Sequence, residues 1–225
     1  MPLETESDQK LSKGQRTAAR ILDVAEDLFA RQGYDGCSLR QIAEGTGIQE
    51  PGLYNHFGSK RALYEAVLER ALAPMHTTLS ERLNTAGELR DYTDLPGLMT
   101  DIMLAHPQMP ALFHQALLGD SETIGNRLVQ DWLDRLFEQG MEKMEFAGES
   151  SAQDRASMAI NVIAMFNLTA GYFLSQRAFD TLAGGDIKHP DNIARQKRLL
   201  HRVVRAMLVR PSPPPAGADS SIELS

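Results

Sequence analysis

The stretch SLRQIAEGTGIQEPGLYNHFGSKRALYEAV, Ser38–Val67, constrains the fold more than any other part of the chain. Its glycines and Pro51 forbid one long helix before Gly58, yet the apolar residues between them keep helical spacing. Ser38, with Gln41 three residues on, is a capping-box pattern that opens a helix. Leu39, Ile42 and Ala43 are its inward face, and Gly45 or Gly47 ends it, Gly47 being suited to a tight turn. Pro51 falls at the opening turn of the next helix, where its missing N–H costs little. Leu53 and Phe57 are four apart and bury one side, leaving Gln49, Glu50, Gly52, Asn55 and His56 outward. Gly58 breaks that helix, Ser59 caps another, and KRALYEAVLERAL runs on with Leu63, Val67 and Leu68 inward. Upstream, Ile21, Ala25, Leu28 and Phe29 share one face of a helix over 17–32 that Gly33 stops.

Two short helices joined by a glycine turn and braced by a longer one make a helix-turn-helix. In that arrangement the second helix of the pair enters the major groove of DNA and flanking helices grip phosphates. The residue types fit. Tyr54 and His56 can donate to phosphate oxygens, and Lys60 adds a charge at a helix N-terminus, itself suited to phosphate. Asn55 can offer its amide edge to a base, adenine being the natural match. Residues 10–61 carry eight Lys/Arg against six Asp/Glu in a chain of net charge −7, which turns the basic end toward a polyanion.

The run from Ser38 through "IAEGTGIQEPGLYNHFGSKRAL", preceded by "RILDVAEDLFARQGYDGCS", resembles the N-terminal domain of the TetR family of transcriptional repressors, over about Arg16 to Val67. The resemblance implies that Arg40 reaches a base or phosphate and that Gln49, Glu50, Gly52 and Asn55 face the groove. It implies that Tyr54, His56 and Lys60 hold the DNA backbone, with Leu53 and Phe57 in the core. Gly52 departs from the family, where a Thr or Ser often stands. Glu50 can accept from a cytosine amino group or serve as a helix-start acid. Arg40 has a second use as the i, i+4 partner of Glu44, Tyr54 half-buries its ring, and His56 has an alternative bond within the domain. Cys37, the lone cysteine, reads as a small loop or core residue without a redox role.

The expected architecture is all-α: a flexible start over 1–12, a three-helix DNA-binding domain over 13–60, a larger helical ligand-binding and dimerisation domain over 61–210, and a disordered Pro/Ser-rich tail over 211–225. Helix four runs into the second domain and is kinked or shortened at Pro74. Pro96, Pro107 and Pro110 divide the next stretch into short helices. Leu128, Trp132 and Leu136 mark an amphipathic helix, and DRASMAINVIAMFNLTAGYFLSQRAF is apolar on most sides, so it needs more than one packing partner. In the last helix Leu199, Val203 and Met207 line one side. The last two long helices are expected to form a four-helix bundle in a homodimer, chiefly because the family does so. A two-fold dimer presents two groove helices to a palindrome.

Candidate lining for a small, largely apolar effector is Met99, Met103, Phe113, Trp132, Asn161, Met165, Phe166 and Tyr172, methionine being adaptable. Plain core is the competing reading. Asn161 and Asn167 need hydrogen bonds if buried, and His106 and His114 are weaker candidates for a polar head group. No phosphate loop, nucleophile elbow, HExxH or paired metal-ligand spacing is present, so neither enzyme activity nor a metal or cofactor is expected. No uninterrupted apolar run approaches a membrane span of about 20 residues, and no secretory signal pattern opens the chain. The expectation is a cytoplasmic regulator whose partners are double-stranded operator DNA and a small molecule, the latter releasing it from the former. A sequence-specific DNA binder without an effector, or a helical enzyme, is the alternative.

Overall fold

The computed structural model describes residues 12–85, 89–118, 123–146 and 155–208. Among them are helices and no strand. The expected tail over 211–225 and all but the last residue of the expected flexible start lie outside the described residues.

Helix α1 spans Lys13–Gly36, and Gly33 (φ 71°) interrupts its regular geometry. It begins four residues before the expected start because Ser12 and Gln15 form a capping box that the apolar period does not reveal. Ile21, Ala25 and Phe29 are fully buried along it. Helix α2, Leu39–Thr46, opens on the Ser38–Gln41 capping box and closes on Gly47 in the left-handed region (φ 71°). Gly45 lies inside α2, and its role is steric. A Cβ there would stand 2.8 Å from Val24 Cγ1 of α1, so only glycine lets the two helices approach this closely.

Helix α3 is short, Glu50–Tyr54, with Pro51 in its first turn. Asn55 and His56 therefore sit on the turn beyond α3 and not on its body, which corrects the expectation of a helix reaching Gly58. The reason is local: Pro51 and Gly52 are weak helix formers, and Leu53 O already accepts from both the His56 and Phe57 N–H. Leu53 is buried and Phe57 half-buried.

Helix α4, Lys60–Thr85, starts on Ser59, whose hydroxyl accepts from the Ala62 N–H at 3.0 Å. Pro74 lies within α4 and does not shorten it. Leu63, Tyr64, Val67 and Leu68 are buried on the α1 side, while Met75, Leu79 and Leu83 continue into the second core. Phe29 and Tyr64 meet edge to face at 4.8 Å, a geometry worth about 0.5–1.5 kcal/mol beyond area burial. Burial, helped by Asp35, pushes the Tyr64 hydroxyl up to about 12, so it stays protonated. Arg70 of α4 bridges Asp23 at 2.8 Å and Glu26, tying α4 to α1.

After a 3-10 turn over Leu89–Asp94 come α5 (Leu95–Ala105), α6 (Met109–Leu118), α7 (Ile124–Phe146), α8 (Arg155–Leu174), α9 (Gln176–Leu182) and α10 (Pro190–Leu208). Helix α7 packs on α4, α6 packs on α1 and α7, and α5 packs on α8 and α10. The Gln108 amide donates to Asp27 Oδ1 at 3.1 Å, a second tie between the domains. The long apolar helix expected through Phe179 breaks at Ser175, because Tyr172 donates to Ile187 O at 2.6 Å and Gln176 donates to Gly185 O at 2.9 Å, folding the chain back.

Helix α8 is apolar on two faces. Phe166, Thr169, Ala170 and Phe173 are buried inward. Ile160, Ile163, Asn167 and Leu174 are exposed and recur with helical spacing on the other side, Ile160 at 65% and Ile163 at 57%. This double-faced composition gives α8 the length and hydropathy of a membrane-crossing helix, alone among the described residues. On α10 the packed line is Ile193, Gln196, Leu200 and Val204, with Gln196 donating to Leu168 O at 3.0 Å. Of the expected Leu199–Val203–Met207 side, Leu199 lies 42% exposed, while Val203 and Met207 are half-buried at the edge of the packed line. The apolar arc of α10 is wider than one face, and spacing alone does not choose its inner edge.

Candidate nucleic-acid interface and interior cavity

The glycine turn and α3 present a polar rim. Gln49, at the N-cap position of α3, makes no capping bond and is exposed, as are Glu50 and Asn55. Tyr54 is 51% exposed. Gly52 is half-buried, and a Cβ there would find Ile48 at 3.8 Å, an ordinary contact. Glycine at 52 is thus not required by packing.

Arg40, the second residue of α2, donates from Nε to Glu44 Oε1 at 2.8 Å with both side chains open to solvent. Such an exposed pair holds the guanidinium only weakly, so Arg40 can exchange Glu44 for a phosphate or base. His56 is half-buried. Lys60 is half-buried at the first turn of α4, its Nζ 4.4 Å from the centre of the Tyr34 ring. That ring lies 5.0 Å from Tyr64 and is anchored to the core through it. Tyr34 is absent from the site residues that the sequence points to. Its only sequence signal is an aromatic just past Gly33, where nothing in the spacing leads to Lys60. Cys37 is buried, and burial pushes its thiol up against the opposing pull of Lys60, which disfavours the thiolate.

The second feature is a cavity of about 200 Å³ inside the helical domain. Helix α8 gives Met158, Asn161, Val162, Met165 and Phe166, the spacing of a single face. Helix α7 gives Trp132, Leu133, Leu136, Phe137, Gly140 and Met141. Leu79 and Leu83 come from α4, Met99 from α5, and Val204 and Met207 from α10. Tyr92, Leu95 and Pro96 complete the wall. Behind the wall, Trp132 meets Phe113 edge to face at 5.3 Å, and the Phe113 and Phe166 ring centres lie 4.1 Å apart.

Of the eight side chains expected around an effector, Met99, Trp132, Asn161, Met165 and Phe166 line this cavity. Met103 and Phe113 are packed core instead, and Tyr172 is engaged with Ile187 O outside it. His106 and His114 are exposed away from the wall. The α4 and α10 contributors, and those of α7 other than Trp132, escape a reading of the sequence because their convergence depends on tertiary packing. Among the described residues no group of His, Cys, Asp or Glu could hold a metal ion.

Residues 21–67, which hold most of α1 and all of α2 and α3, match the sequence profile of the bacterial regulatory proteins of the tetR family. Over this stretch the chain is similar to the DNA-binding region of that family. The class A tetracycline repressor protein from transposon 1721 of Escherichia coli is 46% identical over 57 residues, 25% of this chain and 26% of that protein. The transcriptional activator FasR of Mycolicibacterium smegmatis is 34% identical over 71 residues, 32% of each. The chain thus spans about a quarter to a third of the curated relatives it matches, and that likeness is carried by the N-terminal region.

Likeness of fold extends further along the chain than likeness of sequence. The fatty acid degradation regulator FadR from Bacillus halodurans superposes with a TM-score of 0.63 at 14% identity, covering 89% of this chain and 97% of that one. A TetR-like transcriptional regulator from Rhodococcus gives 0.62 at 20% identity, covering 88% and 98%. At these identities the likeness is one of fold.

Proposed function

We propose that this protein is a ligand-responsive transcriptional regulator that acts as a repressor, binding a palindromic operator as a homodimer and leaving it when a small, largely apolar effector fills the cavity. The observation that carries the reading is the solvent-facing rim of Gln49, Glu50, Tyr54 and Asn55 at α3, beside Arg40 and Lys60. Asn55 reads a base, Glu50 accepts from a cytosine amino group, and Gln49 and Gly52 approach the groove. Tyr54, His56, Lys60 and Arg40 hold phosphates. The repressor sense is supported by the tetracycline repressor, while the FasR relative is named an activator.

Dimerisation is supported by the outward stripe Ile160–Ile163–Asn167–Leu174 of α8, beside the exposed Leu199 of α10. An apolar stripe on two adjacent helices is what a second copy would cover, giving a four-helix bundle. The two faces of α8 then give the mechanism. Its inward face walls the cavity and its outward face meets the partner, so a ligand that moves α8 alters the dimer. Helix α4 joins Leu83 at the cavity to Lys60 at the DNA, roughly 35 Å apart along one helix. The effector releases DNA only if it binds the mismatched conformer more tightly than the operator-bound one.

Selection from a randomised duplex library with the purified chain tests the reading. An enriched inverted repeat is the expected result. Absence of any enriched sequence, repeated after denaturing and refolding to strip a carried-over ligand, would overturn it.

A further inference from the structure

Asn161 stands out on the cavity wall. It is a half-buried amide on the α8 face otherwise made of Met158, Val162, Met165 and Phe166, and its side chain has no hydrogen-bond partner among the described residues. Trp132, on the facing α7 wall, buries its indole N–H with no acceptor among the described residues. The buried indole N–H without a partner is costly, and a ligand bearing one oxygen acceptor offers it one, while the half-buried Asn161 amide borders the same space and can bond the same group. Among the described residues no charged side chain lines the cavity. A carboxylate entering it would leave water and meet no cation, a penalty that an uncharged group escapes.

Size narrows the class. A dry apolar cavity of about 150 Å³ holds benzene, so one of 200 Å³ takes about eight to ten non-hydrogen atoms. We propose that the cavity takes an uncharged amphiphile of this size, a medium-chain alcohol or amide or a substituted single ring, whose one polar group Asn161 orients, and that it rejects carboxylates. This rests on the cavity being the effector site.

Trp132 is the only tryptophan, so its fluorescence reports the cavity directly. The full chain is titrated at pH 7 with octan-1-ol, octanamide, octanoate and ethylbenzene. The first two and ethylbenzene are expected to shift Trp132 emission saturably and raise the melting temperature. Octanoate is expected to bind on the order of a hundredfold more weakly, because only its protonated form enters, and to gain about tenfold in apparent affinity on going to pH 6. In Asn161→Leu, octanamide affinity falls roughly 3–10-fold, the range of one net hydrogen bond, while ethylbenzene binding is unchanged or tighter.

Octanoate binding within tenfold of octan-1-ol at pH 7 would overturn the exclusion of carboxylates. Equal loss of octanamide and ethylbenzene in Asn161→Leu would overturn the orienting role. No Trp132 response to any of the four compounds would overturn the proposal as a whole. Because operator selection needs no added ligand, each of these results is distinguishable from failure of the regulator reading.

Discussion

The two ends of this molecule solve opposite problems. At the α2–α3 end the chain holds Gln49, Glu50, Tyr54 and Asn55 out in water and fixes them with caps, a glycine turn and a tight α1–α2 contact. In the helical domain it draws apolar side chains from α4, α5, α7, α8 and α10 around a space that it leaves unfilled. The first surface is specified by neighbours in sequence and the second by neighbours in space. Rigidity should therefore matter more at the first and adaptability at the second. A glycine in each region shows the contrast: Gly45 has a partner helix 2.8 Å from its would-be Cβ, whereas Gly140 on the cavity wall has nothing within 4 Å.

That contrast can be broken most severely at Gly45. Gly45→Val drives a branched side chain into Val24 and should cost about 1–3 kcal/mol by overpacking, lower the melting temperature and remove operator binding. Retention of wild-type melting and affinity would show that the α1–α2 approach is not needed. Next in size is Asn55→Ala, expected to erase about 1–3 kcal/mol of discrimination at one base position while leaving other positions intact. Repeating the site selection with the variant reads this directly, and equal loss on every sequence would remove Asn55 from base reading.

Lys60→Ala should act more mildly and evenly. Affinity falls on all duplexes alike, and the slope of log affinity against log salt shrinks by about one. A change of preferred sequence instead would contradict the phosphate role. The smallest effect is expected at Gly140→Ala, which adds a methyl to open space inside α7 and should stabilise the chain by roughly 0.5–1 kcal/mol. A lower melting temperature there would mean the cavity wall is as unforgiving as the α1–α2 contact.

The same contrast explains what could be read from the sequence. The capping box at Ser38, the left-handed Gly47 and Pro51 in the first turn of α3 are local devices, and each is where spacing placed it. The end of α3 was not legible, because a bifurcated bond at Leu53 O competes with helix continuation only once the turn has formed. Gly45 reads as a helix end, when its reason is Val24 on a different helix. In the second domain, Asn161 and the methionines beside it are visible as anomalies on an apolar helix. Leu79, Leu83 and Met207 are not, since a residue lining a cavity and a residue filling a core have the same helical spacing. Likewise the two apolar sides of α8 imply two partners without saying which side meets the protein's own core.

Recognition of a palindrome, as proposed, turns on one contact: the outward side of α8 would pair two chains so that two α3 segments meet one duplex. It is tested most directly by the mass of the protein–DNA complex in sedimentation, for wild type and for Ile163→Glu, on the selected duplex. Ile163 is 57% exposed, so the substitution should leave the fold of one chain intact. Pairing through α8 predicts two wild-type chains per duplex, and a monomeric Ile163→Glu that binds at least about a hundredfold more weakly, since the avidity of linked half-sites is lost. One chain per duplex at full affinity, or an Ile163→Glu variant that still pairs and binds as wild type, would contradict it.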